Sequence, residues 1–80
     1  MSRMSARFVA QKLGMTTQWV YGMWKDMGLV EKDQFGDWIL TATGRANGGR
    51  MSQGNRSVVP TFDLETIEPV MIDFYNKHRK

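Results

Sequence analysis

The chain has no cysteine, which excludes disulfides and thiolate metal sites. Its one histidine, His78, sits in a charged tail without the partners of a metal cage. No apolar run approaches the ~18 residues that a membrane span needs, and the first residues carry no apolar stretch of the signal-peptide kind. The eighty residues make one domain with a small but sufficient core, expected to be soluble and cytoplasmic with no membrane contact. No Ser/His/Asp or Cys/His set is available. Asp63, Glu65, Glu68 and Asp73 are strung along one segment rather than paired across a cleft. Neither an enzyme nor a bound cofactor or metal is therefore expected. Acid is also missing locally. Residues 1–25 hold Arg3, Arg7, Lys12 and Lys25 with no acid, and residues 45–56 hold Arg45, Arg50 and Arg56 with none. The acids gather at 26–37 and 63–73, and the net charge is +3. This distribution suits a polyanion, although the same charges can simply solvate a small surface.

Helical periodicity dominates the first third of the chain. Ala6, Val9, Ala10 and Leu13 recur at i, i+3, i+4 and i+7. Ser5 is placed to cap that helix with its hydroxyl, and Phe8 flanks the stripe. Gly14 stops the helix, and Thr16 or Thr17 caps the next, which runs over residues 17–27 and ends at Gly28. At about 100° per residue, Val20, Met23, Trp24 and Met27 share one face. Gln18, Tyr21, Gly22 and Lys25 share the other, with Trp19 at the flank. The Ala10–Gly14–Val20 spacing fits two short helices crossing at a tight corner. That pattern is a helix-turn-helix, in which the second helix is the one laid into a DNA major groove.

A hairpin follows, with strands over 29–32 and 38–40 around the turn residues 33–37. Residues 40–46 open a short helix capped by Thr41. Residues 47–57, rich in glycine, asparagine and serine, read as a flexible loop, and residues 58–62 as an extended segment. A final helix ends near Asn76 or Lys77. It starts either at Pro69 or earlier at an Asp63 cap with Pro69 as a kink. Lys77, Arg79 and Lys80 suit the negative end of its dipole.

Residues 5–46 resemble the winged helix-turn-helix domains of bacterial and phage DNA-binding regulators. Three pieces carry the resemblance: Val9-Ala10 with Leu13 to Thr17, Val20-Tyr21 with Met27 to Val30, and Trp38-Ile39-Leu40-Thr41-Ala42-Thr43-Gly44-Arg45, similar to the "LTxxGR" ending of many wings. The small size, the Gly-Gly-Arg-Met-Ser loop and the Val-Pro-Thr-Phe segment are loosely similar to phage antirepressor-like proteins. The resemblance implies an α+β winged helix-turn-helix and a role in gene control, of phage or prophage origin. Larger regulators carry a ligand or oligomerisation domain, and none is expected within these eighty residues.

For double-stranded DNA, the candidate residues are Thr16, Thr17, Gln18, Tyr21 and Lys25 on the second helix. Gln18 can pair bidentately with an adenine edge, and Lys25 can reach guanine or phosphate. Thr16 and Thr17 stand at a helix N-terminus suited to phosphate. Replacing Lys25 or Tyr21 with alanine is expected to weaken DNA binding with the fold intact. Arg7, Lys32, Arg45, Arg50 and Arg56 are candidate phosphate contacts. Around Lys32 the acids Glu31, Asp33 and Asp37 oppose a deep contact by the hairpin tip.

Trp24 and Trp38 are expected in the core. Trp19 either packs against Phe35, Trp38 or the last helix, or offers an exposed partner surface. The last helix, with Phe74 and Tyr75, either completes the core or makes a homodimer. The alternative functions are a protein-interaction module using Trp19 and the acidic hairpin, and an excision or replication accessory factor that binds DNA architecturally.

Overall fold

The computed structural model describes residues 3–53 and 58–78. Within them the order is β1 (Arg3–Ser5), α1 (Ala6–Leu13), α2 (Thr17–Asp26), β2 (Val30–Lys32), β3 (Trp38–Leu40), α3 (Ala42–Ala46), β4 (Arg50–Gln53), β5 (Val58–Asp63) and α4 (Leu64–His78). The architecture is α+β: four helices and two small antiparallel sheets among the described residues. One sheet is the β2–β3 hairpin, with Val30 opposite Leu40. The other has the order β1-β5-β4.

The α1–α2 corner forms as its residues dictate. Ala6, Val9 and Ala10 are buried on α1, and Gly14 takes φ 71°, a left-handed conformation that a Cβ would strain. Thr16 caps α2 by accepting the Trp19 N–H at 3.0 Å. The chain leaves α2 through a Schellman turn, in which Gly28 N–H donates to Lys25 O and Leu29 N–H to Trp24 O. Leu29 then enters the core beside Val30, Leu40, Phe62, Ile67 and Met71. Ser5 differs from expectation. It stands at the N-cap of α1 with extended backbone, but its side chain makes no capping bond, and as the last residue of β1 it pairs with Thr61.

Thr41 ties the hairpin to the exit of α2. Its backbone N–H donates to Leu29 O at 3.0 Å, its hydroxyl donates to Gly28 O, and the same hydroxyl accepts the Gly44 N–H at 3.0 Å, capping α3. These bonds draw α3 onto the backbone leaving α2, so closely that a Cβ on Gly44 would overlap the Leu29 carbonyl oxygen.

Two segments depart from the sequence reading, and in a third the structure selects between its two alternatives. The loop expected over 47–57 contains β4, whose residues pair with β5 from Arg50–Thr61 to Gln53–Val58. Its polar composition carries no strand signal because β5 supplies the apolar side of the pair. Strand β1 was likewise invisible, being three residues held by Met4–Phe62 and its neighbours. Helix α4 begins at Leu64 and runs to His78, with Pro69 inside it. The Asp63 carboxylate accepts the Glu65 N–H at 3.1 Å, so the earlier of the two starts is the observed one. Proline costs α4 the bond that an N–H at position 69 would give to Glu65 O. Burial of Ile67 and Met71 holds the helix through that position.

Replacing Gly44 with alanine forces α3 away from Leu29 and is expected to cost about 1–3 kcal/mol. A denaturant midpoint lowered at unchanged slope checks this, and a midpoint equal to wild type contradicts the packing.

Candidate nucleic-acid interface

The rotational setting of α2 decides which of its side chains a partner can meet. Trp24 is fully buried. Its ring meets Phe62 of β5 at 4.7 Å between centroids, and its Nε1–H donates to the Met71 sulfur of α4 at 3.3 Å. Val20 is buried beside it. With that stripe inward, Gln18, Gly22, Lys25 and Asp26 face outward and are exposed. Asp26 is an acid on α2 itself, so the helix pair is not wholly cationic as its first 25 residues suggest.

Tyr21 requires a correction. Expected on the open face with Gln18 and Lys25, it is half-buried: its ring stacks on Trp38 of β3 at 4.8 Å and 6°, and meets Trp24 edge-on at 5.9 Å. One residue past Val20, it lies beside the inward stripe, and the β2–β3 hairpin closes over that side. Tyr21 thus joins α2 to the hairpin, and its replacement by alanine would disturb the fold. Trp38 in turn carries Lys32, whose Nζ lies 5.0 Å above the indole. Lys32 therefore leans on the hairpin rather than reaching outward.

The hairpin turn is organised by Asp33, whose Oδ1 accepts the N–H groups of Phe35 at 2.8 Å and Asp37 at 3.0 Å. Phe35 is left 78 % exposed at the tip, so it does not shelter Trp19. Trp19 is half-buried on the other flank of α2, where it shares an apolar groove with Leu13, Met15, Met23, Ile72 and Tyr75. The packing partner expected of it is thus α4, and neither Phe35 nor Trp38. Helix α4 flanks α2 without covering Gln18 or Lys25.

Thr16 uses one lone pair of its hydroxyl on the α2 cap, Thr17 is half-buried, and Arg7 is exposed on α1. Arg45 and Arg50 are exposed and line one depression with Gly48, Gly49, Met51 and a residue not expected there, Arg3. Arg3 arrives through the β1–β5 pairing, and its Nη1 donates to Gly48 O at 3.0 Å across 45 positions of sequence. No local pattern signals that approach. Arg56 lies outside the described residues.

Burial pushes the Tyr21 phenol above its ordinary value of 10.0. The neutral phenol is the form the fold favours, so this contribution to stability is complete below pH 10.0 and is lost as pH rises toward the folded-state value. Unfolding titrations above pH 10.0 are expected to show a decline that Tyr21→Phe reduces. An identical decline in that variant contradicts the buried setting. Comparison of the chain with family models, with curated proteins and with solved structures finds no match in any of the three.

Proposed function

We propose that the chain is a winged helix-turn-helix protein that binds double-stranded DNA as a regulator in the bacterial cytoplasm, with α2 as the groove-entering helix. The observation that carries this reading is the outer face of α2. Gln18 and Lys25 stand exposed on it, and between them lies Gly22, a bare stretch of helix. A glycine within a helix costs about 1 kcal/mol relative to alanine. Nothing in the fold requires it here, since a Cβ at Gly22 would meet no atom within 4 Å and its φ is not left-handed. A residue that weakens the helix without easing its packing fits close approach of a partner surface, although Gly22 also lines a depression with Trp19, Met23, Asp26, Phe74 and Tyr75 beside α4. Gln18 offers paired amide contacts to a base edge and Lys25 a cation to guanine or phosphate. Thr16 and Thr17 at the helix start, and Arg7 on α1, supply backbone contacts. Tyr21 acts behind this face by fixing the hairpin to α2.

One copy would span a short half-site, and specific recognition then calls for a pair of copies. A homodimer through α4 would use Ile72 and Tyr75, 53 % and 49 % exposed.

A second reading has its own observation. The groove between α2 and α4, lined by Trp19, Met23, Ile72 and Tyr75, is almost entirely apolar and open. That surface suits a protein partner. The two readings part on salt, because DNA affinity falls steeply with ionic strength whereas an apolar contact responds weakly.

Fluorescence anisotropy with duplex DNA at low salt tests the proposal. Gln18→Ala and Lys25→Ala are each expected to weaken binding by about 1–3 kcal/mol. Gly22→Ala is expected to stabilise the fold by about 1 kcal/mol while also weakening binding. Unchanged affinity in all three variants would refute the assignment of the α2 face.

A further inference from the structure

We infer that Arg3, Arg45 and Arg50 form a built phosphate-binding site, separate from the outer face of α2. For nucleic acid as the source of the phosphate, this inference rests on the DNA reading above.

The three arginines come from three elements, β1, α3 and β4, and converge on one depression floored by Gly48 and Gly49. Sheet register explains two of them. Arg3 lies opposite Asp63, and Arg50 lies opposite Thr61. Positions 61 and 63 of β5 share a face, and directly opposed residues of an antiparallel pair share it too. Arg3 and Arg50 therefore rise from the same face on either side of β5. Arg45, in the last turn of α3, closes the third side.

The depression is lined by no carboxylate. Asp63 lies directly opposite Arg3 on the same face and keeps its charge while its Oδ1 accepts the Glu65 N–H at the head of α4, but it forms no ion pair with Arg3 among the described residues. No ion pair to any of the three guanidinium groups is found among the described residues; the pair present there joins Lys77 to Asp73. Arg3 is held in place by its bond to Gly48 O at 3.0 Å, which uses one of its five N–H donors. Three guanidinium groups that line one depression, none of them in an ion pair among the described residues, offer a multiply charged oxyanion several donors at once. A guanidinium fork matches the paired oxygens of phosphate. Phosphate chemistry is shared by a DNA backbone and by a free phosphate ester. The same depression would thus give the DNA reading a sequence-independent contact, at arginines of β1, α3 and β4 rather than at the acidic turn of Asp33 and Asp37.

Two titrations of the whole chain test this. In the first, inorganic phosphate is added at constant ionic strength against chloride. The thermal midpoint is expected to rise, and the Gly48 and Gly49 amide resonances to shift, in the wild type but not in the triple variant R3Q/R45Q/R50Q. In the second, duplex DNA affinity is measured against salt. The triple variant is expected to lower the slope of log affinity on log salt by about 1–3. A phosphate response without any duplex binding supports the site, assigns it to free phosphate esters and sinks the DNA reading. Duplex binding with the same slope in wild type and triple variant, together with no phosphate response, overturns the site while leaving the α2 face standing. Because the phosphate titration of the wild type needs no substitution, a variant that fails to fold does not shelter the inference.

Discussion

Trp24 is the residue on which the arrangement depends. Removing a buried aromatic of this kind costs about 3–5 kcal/mol, but its position matters more than its area. It touches β5 through Phe62, α4 through Met71, and Tyr21 on its own helix. Those contacts fix how α2 is turned about its axis. Gly22, two residues earlier, then lies nearly opposite the core, and Gln18 and Lys25 to the same outward side. The face offered to a partner is a consequence of which face the tryptophan needs.

A run of rings carries that constraint outward. From Phe62 it passes through Trp24, Tyr21 and Trp38 to the Lys32 ammonium. The hairpin is thereby fixed to α2 by side chains, while Thr41 fixes it by hydrogen bonds to Gly28 and Leu29. Each aromatic pair contributes only about 0.5–1.5 kcal/mol beyond its burial. Their combined effect is geometric, setting the hairpin against one side of α2. The hairpin turn itself is acidic through Asp33 and Asp37, and the arginine depression holds no acid. The acidic turn and the arginine depression therefore differ in the sign of charge they present.

Local signals made the first half of the chain legible. The i, i+3, i+4 stripe of α1, the glycine corner at Gly14, the Thr16 cap and the turn residues around Asp33 each act over a few positions, and each appears where its chemistry places it. The Thr41 cap of α3 belongs to the same class. Legibility fails where pairing partners are distant. Strand β4 is a short polar segment made into a strand by β5, and β1 is three residues recruited by the same neighbour. Arg3 reaches the depression only because of that recruitment. The setting of Tyr21 escapes the sequence for a related reason. Helical periodicity sets it beside the buried stripe, and only the returning hairpin decides that this side is closed. Trp19 is its mirror image, closed in on the other flank by α4.

Nucleic-acid contact through the outer side of α2 is the proposal on which the function rests. The most direct measurement is a map of backbone amide shifts on adding mixed-sequence duplex DNA at low salt. Perturbations are expected at Gln18 and Lys25, with Met15, Ile72 and Tyr75 of the apolar groove unmoved. Perturbation confined to those groove residues, or no change anywhere, would contradict the proposal.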